Sequence, residues 1–140
     1  MRFMIIVKAT AESESGAMPS QQLLEDMGKF NAEMAEAGVL QAGEGLHPSA
    51  RGARIAFRGD ERHVIDGPFP DVRELVAGFW LIQVASRDEA IAWMRRCPRP
   101  FDGDCEIEIR QLFEIDDFGD AATPELREQE ARLRAQTAKH

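Results

Sequence analysis

Gly78-Phe79-Trp80-Leu81-Ile82-Gln83-Val84-Ala85-Ser86-Arg87-Asp88-Glu89 is the stretch on which the fold turns. Its first eight residues are rich in β-branched and aromatic side chains, which pack well on a pleated surface, so they read as a strand. The next four are a capping box, with Ser86 as the cap and Glu89 at the third helical position. A strand therefore runs straight into a helix, whose buried face is Ala90, Ile91, Met94 and Cys97 and which Pro98 ends. Phe79 and Leu81 point one way along the strand, and Trp80, Ile82 and Val84 the other. A strand apolar on both sides needs cover on both faces of its sheet.

Upstream, residues 2–8 repeat this two-faced pattern, with Met4 and Ile6 against Phe3, Ile5 and Val7. Residues 9–18 read as a polar loop of small residues. Pro19-Ser20 opens a helix in which Leu23, Met27, Phe30 and Met34 share one face, and Gly38 stops it. Val39–Leu46 reads as a strand, and 54–58 with 62–65 as a hairpin turning at Gly59-Asp60. Downstream, Glu106–Glu114 reads as the last core strand, with Ile107, Ile109 and Phe113 on one face. Thr123-Pro124 caps a helix over 125–138, where Glu128 with Arg132 and Glu130 with Arg134 make i,i+4 pairs.

The order is strand, helix, strand, hairpin, strand, helix, strand, a ferredoxin-like α+β pattern with an antiparallel sheet. It spans residues 1–118, with 119–140 as a helical extension. Two helices cover one face of such a sheet only. A bare second face would be an unusually large apolar patch, so a second copy packed face to face, as a symmetric dimer, is expected.

Composition bounds the partners. At 140 residues with 44% hydrophobic and 30% charged residues, the chain suits one globular domain with its own core. A formal net charge of -8 argues against direct nucleic-acid binding and against an anionic membrane surface. No run approaches the ~20 apolar residues of a membrane helix, and Phe3–Val7 is too short for a secretory core, so a cytoplasmic location is expected. The two cysteines, Cys97 and Cys105, lack CxxC spacing and read as reduced thiols. Three scattered histidines make no metal site by spacing, and no cofactor is expected.

Val64-Ile65-Asp66-Gly67-Pro68-Phe69 is the chain's rarest punctuation. Gly frees the backbone and Pro fixes it, so a rigid turn should aim Asp66 in one direction. With Gly43-Glu44-Gly45-Leu46, Ala77-Gly78-Phe79, Ser86–Trp93 and Glu106–Arg110, this set resembles the YCII-related family. More closely, it resembles the subgroup named for Asp-Gly-Pro-Phe. The resemblance implies a ferredoxin-like fold that dimerises into an α+β barrel. It also implies an enzymatic role resting on a His near the start of the first helix and an Asp before the Pro that ends the second. Here those places hold Ser20-Gln21-Gln22 and Cys97, so the dyad is not carried over. Some members of the wider superfamily act on small aromatic compounds without cofactors, and subgroup members are associated with sigma-factor-type transcription regulators.

Candidate chemistry is sparse. Asp66, beside Phe69 and Trp80, reads either as a carboxylate base or as an acceptor that builds its own turn. Glu44, between two glycines, reads as a ligand contact or as a solvated bulge residue. His47 reads as a proton shuttle or as an exposed loop residue. Lys8 and Arg110 read as anchors for an anionic group or as partners of Glu44, Glu106 or Glu108. Trp80 reads as a stacking surface for a ligand or as dimer core. His63 and His140 are not favoured. The expected site is a small-molecule pocket between sheet and helices, mouthed by the 9–18 loop, with Asp66, Glu44 and His47 as its polar groups.

Overall fold

The computed structural model describes residues 1–138, so His140 lies outside the described residues. Strand β1 (Arg2–Lys8) leads through a short helix α1 (Ala11–Glu14) to the long helix α2 (Gln21–Glu36). Strand β2 (Leu40–Gly45) is followed by a hairpin of β3 (Ala53–Arg58) and β4 (Glu61–Asp66). Then come β5 (Val76–Gln83), α3 (Arg87–Met94), β6 (Ile107–Gln111) and α4 (Pro124–Thr137). The four long-range strands form one antiparallel sheet in the order β2-β5-β1-β6, the ferredoxin-like order.

The local signals explain the element ends. Ser86 accepts from the Glu89 amide while Glu89 Oε2 accepts from the Ala85 amide, which fixes the start of α3. Ser20 caps α2 through the Leu23 amide, and Thr123 caps α4 through that of Leu126. Within 9–18, read as a loop, Thr10 and Ser13 cap each other reciprocally and wind α1. That small box had no apolar periodicity to announce it.

Phe3, Ile5 and Val7 of β1 join Trp80, Ile82 and Val84, and onto them pack Phe30 and Met34 of α2 with Ala90 and Met94 of α3. Ile5, Met34, Ile82 and Ala90 have no exposed surface. Burial at this scale contributes ~1.5–3 kcal/mol per large side chain and is the main term holding the sheet to its helices. Trp80 is part of this core. Its ring meets Phe30 edge-on at 5.9 Å, and its indole N–H donates to Asn31 Oδ1 at 2.8 Å. A dimer-core place for Trp80 is thereby corrected: it points under α2, within one chain. Gly43, paired with Trp80 across β2 and β5, makes room for it, since a Cβ there would lie 2.6 Å from Trp80 Cδ1.

Among the described residues, no helix lays buried side chains on the other face of the sheet. Met4 pairs with Leu81 and Ile6 with Phe79 along the two central strands, and all four are half-buried. The buried residues of α2 and α3 all belong to the opposite face, and α4 buries none. Glu44 stands beside Phe79, Glu108 beside Ile6 and Arg110 beside Met4, so charged residues border an apolar centre.

One sequence expectation needs correction here. The last strand stops at Gln111, so Phe113 does not face the core; it is 72% exposed and stacks on Phe118 at 5.2 Å. The cause is local: Asp117 Oδ2 accepts from the Glu114 amide at 2.7 Å and pulls the chain into a 3₁₀ segment. The sequence left the partner of the hairpin open; among the described residues β3 and β4 pair with no other strand. It forms its own two-stranded sheet, and Ile55, Phe57 and Val64 stay exposed on it. The C-terminal segment is tied back by ions. Arg2 grips Glu114 in a two-point pair at 2.8 and 3.0 Å, and this guanidinium holds the Glu114 carboxyl below its ordinary range.

Candidate functional site

Between β2 and the hairpin the chain crosses residues 46–52, and this crossing is organised around Ser49. Gly52 and Arg51 bond back to the carbonyls of Ser49 and Pro48 at 2.9 and 3.0 Å, closing a tight 3₁₀ turn. The Ser49 amide donates to both oxygens of Glu14, at 2.8 and 3.3 Å, which joins the turn to α1. Ser49 Oγ accepts from the Phe69 amide at 3.0 Å, and the Gly52 carbonyl accepts from the Gly67 amide at 3.0 Å. So the turn at residues 66–69 lies against the back of the crossing. The contact at Gly67 leaves no room for a side chain: a Cβ there would sit 1.8 Å from the Ser49 carbonyl oxygen.

In front of this buttress is a cavity of about 320 Å³. Ala9, Ser13 and Glu14 line one side, His47 and Arg51 the other, and Leu46, Leu75 and Val76 supply apolar surface. A volume of this size falls at the lower end of the ~300–1,000 Å³ typical of ligand clefts. Arg51 Nη1 lies 3.3 Å from His47 Nδ1 and 3.2 Å from Nε2, so the imidazole and guanidinium act as one polar edge. Among the described residues, no carboxylate comes within 4 Å of the Arg51 guanidinium, unlike Arg2, Arg54, Arg96 and Arg110.

The profile of the YCII-related domain matches residues 1–116. The chain belongs to the YCII-related family. It is also 30% identical, over 92 residues, to an uncharacterized protein of Rhizobium meliloti (strain 1021), covering 66% of this chain and 74% of that one. In this YCII-related chain, Ser20, Gln21 and Gln22 at the start of α2 are all exposed. Cys97, in the place before Pro98, is half-buried, and burial pushes its thiol up to about 11. At neutral pH that thiol is held protonated, which weakens it as a nucleophile. With Cys105 it lines a second cavity, of about 340 Å³. Among the described residues no three His, Cys, Asp or Glu side chains gather as metal ligands, and no helix is long and apolar enough to cross a membrane.

The remaining candidates are spread out. Of the residues named from sequence, His47 lines the first cavity, while Asp66, Glu44, Phe69, Trp80, Lys8 and Arg110 do not. Asp66 ends β4, is exposed, and among the described residues its carboxylate takes no hydrogen bond. The Phe69 ring is covered by the Arg54 guanidinium at 3.9 Å. Glu44 and Arg110 stand on the uncovered sheet face, where Arg110 pairs with Glu108 at 3.2 Å. Glu14, Ser49 and Arg51 were not legible as site residues. Thr10-x-x-Ser13 was the one local hint that α1 would hold Glu14 in place.

The turn's stability should therefore depend on Ser49 rather than on Asp66. Removing the Ser49 hydroxyl leaves the Phe69 amide without its acceptor, a loss of about 1 kcal/mol. Ser49→Ala is expected to lower denaturant stability by that amount, while Asp66→Asn stays within about 0.5 kcal/mol of the parent. The reverse order would mean that Asp66 holds the turn.

Proposed function

We propose that this YCII-related protein, of the Asp-Gly-Pro-Phe subgroup, is a homodimer that binds a small molecule in the cavity between α1 and the 46–52 crossing. The observation that carries this reading is the lining itself: an imidazole, a guanidinium and a carboxylate on fixed backbone, beside apolar surface. The dimer reading rests on Met4, Ile6, Phe79 and Leu81, a continuous apolar strip over the two central strands. A second copy matches such a strip with its own, residue for residue, about a two-fold axis.

If the protein is a cofactor-free enzyme, a carboxylate base is wanted. Glu14 and His47 line the cavity, and Asp66 does not. Asp66→Asn that leaves ligand affinity and turnover unchanged would remove Asp66 from that role.

A second reading is a non-catalytic partner module in transcription regulation, associated with a sigma-factor-like protein. The hairpin favours it, since an isolated two-stranded ribbon is marginal in water and Ile55 and Phe57 are 56% and 70% exposed. Mass spectrometry of small molecules released from freshly purified protein separates the two. A metabolite at near one per chain supports the binding reading. An empty cavity with a stoichiometric protein partner in native copurification supports the second.

A further inference from the structure

Resting on the reading of the 46–52 cavity as a binding site, we infer that its ligand is a small organic carboxylate with an apolar body, held by Arg51. Three groups lining this cavity carry or can carry charge: Glu14, His47 and Arg51. Glu14 is already engaged, because both its oxygens take the Ser49 amide and its charge is turned toward the loop backbone. Arg51 is not. Its one side-chain partner among the described residues is the His47 ring, an acceptor of a single N–H out of five.

The wider charge balance makes this absence informative. The chain has 25 acidic residues against 17 Lys and Arg, so carboxylates are plentiful. Among the described residues nine of the other thirteen arginines find one, such as Arg2 with Glu114, Arg54 with Glu74, Arg96 with Glu33 and Arg110 with Glu108, and of the unpaired ones Arg51 alone lines this cavity. The guanidinium at the cavity keeps its fork open instead. Planar, two-point bonding to a carboxylate is what that fork does best. Its backbone is fixed for the purpose, since the Arg51 amide closes the turn onto the Pro48 carbonyl.

The opposite pole of the ligand is set by Leu46, Leu75 and Val76, which offer no donor or acceptor from their side chains. A ring or branched alkyl group suits them, and a sugar or a polyphosphate does not. The volume of about 320 Å³ limits the ligand to a small molecule. His47, touching Arg51, stands where it can donate a further hydrogen bond to the bound anion.

Benzoate and its neutral isostere benzamide are suitable probes, titrated into the full chain and followed by backbone amide shifts. Benzoate is expected to shift the amides of residues 9–14 and 46–52 and to bind at least ~10-fold more tightly than benzamide, as one charged hydrogen-bonded pair allows. Arg51→Gln should erase that preference and leave benzamide unchanged, while Arg51→Lys, which keeps the charge but not the fork, retains part of it. Arg51 is exposed and outside the core, and an unchanged melting temperature checks that the variants fold. Equal binding of the two probes, or a preference that survives Arg51→Gln, overturns the carboxylate assignment and leaves the cavity reading standing. Binding of neither probe overturns both.

Discussion

Gly67→Ala is expected to be the most damaging single-methyl change in this protein. The added Cβ would sit 1.8 Å from the Ser49 carbonyl oxygen and 2.7 Å from its carbonyl carbon. Those atoms are backbone, pinned by the Gly52 amide, the Glu14 carboxylate and the Phe69 amide, so neither partner yields by a rotamer change. The hairpin end must separate from the 46–52 crossing. Overpacking of this kind costs about 3 kcal/mol, and for a chain of this length the melting temperature should fall on the order of 10 °C. Hydrogen exchange should localise the loss, with the Gly67 and Phe69 amides unprotected while those of β1 and β5 are slow. A melting temperature within ~2 °C of the parent, with both amides still protected, would show that residues 66–69 do not press on the crossing.

That experiment also bears on what the Asp-Gly-Pro-Phe turn is for. From sequence, its carboxylate draws the eye, because a fixed acid suggests chemistry. In the structure the positions that bear on the cavity are Gly67 and Phe69, through Ser49, while Asp66 is exposed and does not line it. The sequence carried this information only as a rare spelling. The contact that explains it joins residues 20 positions apart, and the bond from Glu14 to Ser49 joins residues 35 apart. No local pattern announces such pairs.

By contrast, the Ser86 cap of α3 was legible to the residue and β5 to within two residues at each end, because capping and strand alternation are decided within a few neighbours. The ferredoxin-like pattern followed from the order of strands and helices along the chain. The independence of the hairpin did not. Its alternation is the same whether a ribbon joins a sheet or stands off it. Phe113 misled for a related reason: its parity continues β6, but the Asp117 side chain ends the ladder first.

Leu81→Asp is expected to turn a dimer into a monomer. Leu81 sits at the centre of the uncovered face, between Met4 on β1 and Ala42 on β2. In one chain it is half-buried and its substitution is mild, because a charge there still reaches water. Between two copies related by a two-fold axis the same carboxylate is buried twice, near its own symmetry mate, with Glu44 and Glu108 bordering the apolar centre. Each desolvated charge costs several kcal/mol, so even ~2 kcal/mol per copy weakens the dimer on the order of 1,000-fold. By sedimentation at micromolar concentration, the parent should run at twice the 15.7 kDa chain mass and Leu81→Asp at that mass itself. Leu24→Asp is the control: Leu24 lies 60% exposed on α2, and a charge there should leave the dimer intact. Circular dichroism should be the same for all three, since none of these changes touches the core of Ile5, Met34 and Ile82. A parent that sediments as a single chain would remove the dimer, and dissociation by Leu24→Asp instead would move the interface to the helical side.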